Sequence, residues 1–326
     1  MNYLKELQGI EYKNTGNRAR GRLSSYHRKP SPLSLNETEY IKDVQGLKPR
    51  HFSKTGSIYK ANYTIGFEFE KTSLHRDAIK EYPLFTGFET DASCGYEVVT
   101  HILPLLPASQ WRTKIFSLFY DAEHIIDDNY SPSDLSCGGH ITIRVEGLTS
   151  QELAEKLRRN LGIVYALFRK RLRNSYCGHN LNLIGSNYAE RFGAPCHSGY
   201  TSAGARGYER YSALLPKANG CLEFRLVSRF TSVKQTTLRY KLIAELVDFS
   251  ISKPNGTHAS FLKKIKPLIA EMYENDEAKV NEILNYAKDF RRYLVSKGRT
   301  IPNSIAEFVD YHQGNRELNR SFQGWS

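Results

Sequence analysis

Acidic residues set two apart in short alternating runs are the chemical signal of this 326-residue chain. In Tyr63-Thr64-Ile65-Gly66-Phe67-Glu68-Phe69-Glu70, a strand would carry Tyr63, Ile65, Phe67 and Phe69 on one face and Gly66, Glu68 and Glu70 on the other. Leu222, Phe224 and Leu226 alternate in the same way with Glu223 and Arg225, and Ile141, Ile143 and Val145 with His140, Thr142 and Arg144. Glu97 is the lone acid of Tyr96-Glu97-Val98-Val99, with Asp91 and Ser93 just ahead of it. A plain antiparallel sheet with one solvated face also alternates. Such a face, however, mixes Lys, Thr, Ser and Gln, whereas these positions are mostly acids with a histidine and arginines. Gly66, Gly95, Gly138 and Gly139 thin the surface beside them, which suits close approach of a ligand.

If these strands share one sheet, Glu68, Glu70, Glu97 and Glu223 converge with His140. Carboxylates gathered in this way raise one another's pKa unless cations neutralise them. Hard oxygen ligands suit Mg²⁺ or Mn²⁺, which also bind phosphate oxygens. Arg225 on the same face, with Arg206, Arg210 and Arg229 near in sequence, adds the guanidinium charge that phosphoryl transfer needs.

Three regions position these residues. Residues 1–57 are rich in Arg, Lys, Ser, Asn and Tyr and read as a basic extended arm, partly disordered, with a short helical piece near NETEYIKDV. Residues 58–255 alternate strands with amphipathic helices: strands at SIYKANYTIGFEFEK, GYEVVTHI and GGHITIRV, helices at LPASQWRTKIFSLFYDAEHIID and TSQELAEKLRRNLGIVYALFRKRL. Thr149 or Ser150 caps the second of these helices. RYSALLP and GCLEFRLVS form a hairpin across Pro216–Gly220, and a helix begins at TSVKQTTL. The Gly- and Tyr-rich stretch 174–210 reads as a long loop, either a lid over a substrate or an irregular surface loop. Residues 256–326 read as a charged helical extension. The fold class expected is α+β, a twisted antiparallel sheet of about six strands with helices packed on one face.

Composition narrows the classes. Hydrophobic residues make up 40% and charged residues 25%, ordinary for a globular protein. Neither a membrane-length apolar run nor an apolar leader is present, so a cytoplasmic protein is expected, or one of the host cytoplasm or virion if a phage encodes it. The net charge of +12 favours polyanionic partners such as nucleotide phosphates, acidic polymers or nucleic acid, the last through the basic arm. Five cysteines, an odd number, fit a reduced compartment. Cys137 with His140, Cys177 with His179 and Cys196 with His197 lack regular zinc spacing, and nothing lowers a thiol pKa for nucleophilic work.

In order, the segments GFEFE, DASCGYEVV, CGGHIT, RYSALL and CLEFRL resemble the amidoligase family, within the carboxylate–amine ligase superfamily of glutamine synthetase and glutamate–cysteine ligase. The resemblance covers about residues 60–250, and five motifs in sequence are far more specific than any one of them. It implies a sheet curved into a funnel with helices outside. It also implies ATP-driven joining of a carboxylate substrate to an amine substrate, either of which can be a peptide or protein side chain, through an acyl phosphate. By position, Glu68, Glu70, Glu97, Glu223 and His140 match the metal-binding set. His140, Arg210 and Arg225 match the catalytic groups that also contact nucleotide phosphate or substrate, and Thr142 lies with them on the nucleotide side. The chain departs from the family pattern at Thr142, where many relatives carry a second histidine, and near Leu215, where they carry an asparagine. A non-catalytic binding or virion-assembly protein on the same fold is the alternative expectation.

Overall fold

The computed structural model describes residues 63–74, 79, 82, 84–91, 94–100, 103–106, 108, 110–127, 138–145, 147–168, 171, 214–217 and 220–296. The basic arm, the loop 174–210 with Arg206 and Arg210, Ser93, and Cys137, Cys177 and Cys196 lie outside the described residues.

The strands are β1 (Tyr63–Lys71), β2 (Phe85–Asp91), β3 (Gly95–Thr100), β4 (Leu103–Pro104), β5 (Gly139–Val145), β6 (Leu214–Pro216) and β7 (Leu222–Phe224). They form one open sheet in the order β2-β3-β1-β5-β7-β6, with β4 paired to β1, and every pairing is antiparallel. The helices are α1 (Gln110–Asp121), α2 (Glu123–Ile126), α3 (Ser150–Arg158), α4 (Gly162–Leu167), α5 (Val233–Ser252), α6 (His258–Met272) and α7 (Glu277–Ser296). The chain is thus a mixed α and β protein built on an antiparallel sheet. No helix among the described residues is long and apolar enough to cross a membrane.

One face of the sheet is apolar because the alternation of each strand is in phase with its neighbours. Phe67 sits opposite Ile141, and Ile141 opposite Phe224. These residues join one core with Ile115, Leu118 and Phe119 of α1, Leu153 and Leu157 of α3, and Tyr240, Ile243 and Val247 of α5. Phe67 meets Phe119 edge-on at 5.5 Å, and Phe230 packs against Phe69 at 4.8 Å. Helices α6 and α7 extend the same core through Phe261, Ile265, Ile269, Ile283 and Ala287.

The hairpin β6–β7 and helices α1 and α5 fall where hydrophobic spacing places them. Thr149 caps α3 in a full capping box with Glu152. The helix expected to run on from Ser150 is instead broken at Arg159–Leu161 into α3 and α4. Asn160 turns inward there and donates to Ser250 Oγ at 2.9 Å. Gly162 then lets the α7 backbone approach, since a Cβ on it would lie 2.9 Å from Ala287 O. Strand β2 did not show in the alternation because its register slips between Phe85 and Gly87, so that Phe85 and Phe88, three apart, are both buried.

Candidate functional site

The opposite face of the sheet carries the acids, and register explains how they meet. Glu68 pairs with His140 across β1 and β5, Glu70 with Glu97 across β1 and β3, and Thr142 with Glu223 across β5 and β7. Residues from four strands therefore share one patch. The sheet does not solvate it: Glu68 is 4% exposed, Glu70 6%, His140 4% and Glu223 1%. Glu97 is half-buried. Ordinary polar-out alternation would leave such groups in water, so this face is built for something other than contact with solvent.

His140 is the hub. Its Nδ1 lies 2.5 Å from Glu68 Oε2 and 3.4 Å from Glu223 Oε1, and its Nε2 lies 3.4 Å from Glu70 Oε1. Two sets follow, Glu68–His140–Glu223 and Glu70–Glu97–His140. Within each, one ligand atom per residue lies within 4.8 Å of the others. Each set offers two carboxylate oxygens, the hard donors that suit Mg²⁺ or Mn²⁺, and an imidazole nitrogen, which suits transition metals such as Zn²⁺ or Fe²⁺ better. Thr142, 3% exposed, lies opposite Glu223 on this face, and its Oγ1 finds no hydrogen-bond partner among the described residues. Buried hydroxyls are normally satisfied, so an orphaned one beside the acids is an unusual polar group on this face.

Basic groups border the patch. Arg225 Nη1 donates to Glu223 Oε1 at 2.7 Å, and Lys217 Nζ pairs with Glu223 Oε2. The Gly138 N–H donates to Glu70 Oε2. Arg171 lies so close to Gly138 that a Cβ there would fall 2.3 Å from its Nη2, and its charge acts on Glu70. The Glu223 carboxyl is held far below the usual range: burial would raise its pKa, but Lys217, Arg225 and His140 outweigh it. Burial pushes the Glu70 carboxyl up, against the pull of His140, the Gly138 amide and Arg171. Burial and Arg225 would both lower the His140 pKa, yet Glu68 and Glu223 overcome them and hold it above its ordinary value. Burial would likewise lower Arg225, but Glu223, Glu68, Glu97 and Glu70 keep it charged. Protons and basic side chains thus offset the carboxylate charge gathered on this face.

The patch is braced from the helical side. The backbone of β7 runs on so that Gly139 N donates to Val227 O at 3.1 Å, and Gly138 bridges Ser228. Arg239 of α5, wholly buried, donates to Ser228 O at 2.6 Å and to Ser228 Oγ at 2.7 Å. Its guanidinium stacks between Phe230 at 4.7 Å and Phe168 at 5.2 Å.

Of the residues singled out from sequence, Glu68, Glu70, Glu97, His140, Thr142, Glu223 and Arg225 come together. Arg210 lies outside the described residues, and Asp91 ends β2. Lys217 and Arg171 also border the patch and carry no signal in the sequence. Lys217 sits at a hairpin turn rather than in an alternating run, and Arg171 lies beyond a helix end, so neither shows periodicity. Comparison with protein-family models gives no match, and a search of curated proteins gives none either.

Proposed function

We propose that the chain is an ATP- and divalent-cation-dependent carboxylate–amine ligase of amidoligase type, with its sheet curving into the nucleotide-binding funnel of that fold. The observation that carries this reading is the pair of overlapping carboxylate–imidazole sets sharing His140 on a buried sheet face. Such a concentration of acids opposes folding: like charges directly opposite across strands, as Glu70 and Glu97 are, destabilise a sheet. Its presence is accounted for by a cation that supports chemistry. The five-motif resemblance supplies the reaction class.

Glu68, Glu223, Glu70, Glu97 and His140 would hold the cations. These would supply charge neutralisation and alignment of the nucleotide phosphates. The residues of the chain perform the rest. Arg225, kept charged among four carboxylates, faces the negative charge that spreads over the transferred phosphoryl group. A substrate carboxylate oxygen attacks the γ-phosphorus, the bond to the β–γ bridging oxygen breaks, and ADP departs. The amine then attacks the acyl carbon, phosphate leaves with the C–O electron pair, and the amine nitrogen loses a proton. Burial of the patch keeps water from the acyl phosphate, whose hydrolysis would waste the ATP.

Incubation of the chain with ATP, Mg²⁺ and pooled candidate amines and acids tests the reading; ADP and a new amide product are expected. Glu68→Ala and Glu223→Ala should each abolish Mg²⁺-dependent ATP binding in calorimetry. Metal-independent binding of unchanged strength in both variants sinks the assignment.

A second reading rests on the pairing of Glu223 with both Lys217 and Arg225, which neutralises charge without any ion. In that case the chain is a binding or assembly protein that keeps the fold and has lost the reaction. Failure of Mn²⁺ to bind the purified protein would favour it.

A further inference from the structure

Strand β5 carries three polar side chains on the face that holds the acids. His140, Thr142 and Arg144 lie two apart, while Ile141, Ile143 and Val145 enter the core on the other side. Register sets their neighbours: His140 stands opposite Glu68, Thr142 between Gly66 and Glu223, and Arg144 opposite Thr64. Beyond the level of Thr142, β5 offers this face a guanidinium where its other end offers an imidazole among carboxylates.

The basic groups bordering the face are engaged differently. Lys217 and Arg225 both pair with Glu223. Arg144, half-buried, has neither an ion pair nor a hydrogen bond among the described residues. It lies beside the β6–β7 turn, its Nε 3.8 Å from where a Cβ on Gly220 would fall. A guanidinium drawn partly out of water without a partner loses hydration that nothing restores. Its planar fork matches a carboxylate or phosphate through two parallel donors. Thr142, its neighbour on this face, is buried with Oγ1 unpartnered among the described residues. Neither residue belongs to the two carboxylate–imidazole sets, and a guanidinium repels a dication, so a cation alone leaves both unsatisfied.

We propose that Thr142 and Arg144 form an oxyanion subsite, which receives a second anionic group of a ligand whose first is held at the cations. That group is a nucleotide phosphate or a second carboxylate of the acid substrate. Strand rise places Thr142 about 7 Å and Arg144 about 13 Å from His140 along β5, so the ligand is extended and anionic at both ends. The inference rests on the reading of the acids as a cation site and adds to it the class of ligand, a two-headed anion.

The test uses the full chain in calorimetry. Mn²⁺ is titrated first; tripolyphosphate, succinate and the one-headed control butyrate are then titrated with and without Mn²⁺. Arg144→Met should leave Mn²⁺ and butyrate binding unchanged and weaken tripolyphosphate or succinate about tenfold, the loss of a charge-assisted hydrogen bond. The probe that suffers names the source of the oxyanion. Thr142→Val should weaken the same probe about fivefold while the melting temperature of the free protein holds or rises, because a buried hydroxyl without a partner has been removed. A lower melting temperature with unmoved probe affinity would make Thr142 structural and overturn the pair. Unchanged affinity of both probes in Arg144→Met, or binding of neither to the wild type, would overturn the proposal. If Arg144→Met does not fold, phenylglyoxal labelling of Arg144 in the wild type, read by peptide mass spectrometry, decides. Tripolyphosphate or succinate should slow it, and labelling undiminished by both would sink the subsite. Absence of Mn²⁺ binding alongside Arg144-dependent probe binding would remove the cation reading and leave the subsite standing.

Discussion

The imidazole of His140 stands between carboxylates reached through both of its nitrogens, and this gives the site a definite response to pH. Its folded-state pKa lies above the ordinary 6.5, so the stability it contributes is fully present below about 6.5 and fades as pH rises through the raised value. Glu70, also raised, is protonated more readily when folded, so its burial becomes costly as pH climbs above its ordinary 4.5. Glu223 acts in the opposite sense: its depressed pKa contributes stability that is lost only as the solution turns acid, below 4.5. Without metal, the protein should therefore lose stability on passing upward from neutral. A dication replaces those protons, so the increase in melting temperature on adding Mg²⁺ should grow between about pH 6 and about pH 8. A metal-induced shift that shrinks over that interval would contradict the protonation assigned to His140 and Glu70. The acids and the histidine were readable in sequence because alternation is set by the strand itself. Lys217 and Arg171 were not, because a turn residue and a residue past a helix end acquire their neighbours only from tertiary contacts.

Among the elements, β1 and β5 do most of the positioning, and glycines at the start of β5 let the two layers close on each other. A Cβ on Gly139 would lie 2.2 Å from the Phe230 ring, and one on Gly138 would strike both Arg171 and the Val227 carbonyl. Gly139→Ala pushes on the ring that supports Phe69 and Arg239. It should destabilise the protein by about 1–3 kcal/mol in denaturant titration, the range for overfilling a packed interior. Gly138→Ala displaces the arginine and the amide that hold Glu70, so Mn²⁺ affinity should suffer more than stability does. Equal losses in the two variants would show that these glycines serve packing alone. The same layering explains how far the strands and helices could be anticipated. β1, β5 and β7 alternate apolar and polar residues and are plain in the sequence, while β3 and β6 show as short apolar runs beside turn residues. β2 is hidden by its bulge, and the break between α3 and α4 by Asn160, whose partner Ser250 lies far along the chain.

Over the described residues as a unit, the sheet and the seven helices named above share one apolar core, and α6 and α7 are built into it. The segment 1–57 carries Arg18, Arg20, Arg22, Arg28, Lys29, Lys48, Arg50 and Lys54, a charge density suited to a polyanion. Its deletion should leave ATP turnover largely intact while weakening salt-sensitive binding to nucleic acid, measured by fluorescence anisotropy at two ionic strengths. Loss of turnover from a folded truncated protein would show that the arm completes the site. The central position of β1 has a further result. Glu68 meets His140, 72 residues later, and both meet Glu223 only after the hairpin β6–β7 has docked at the far side of β5. During synthesis Glu68 and His140 emerge long before Glu223, so the Glu68–His140–Glu223 set closes only once the β6–β7 hairpin has left the ribosome, whereas Glu70, Glu97 and His140 can meet without it. On the proposed reading, the full Mn²⁺ signal in refolding from denaturant should accordingly be reached only in the slowest phase, when Glu223 joins Glu68 and His140. An early burst of the full signal would mean that the first strands assemble a competent centre by themselves.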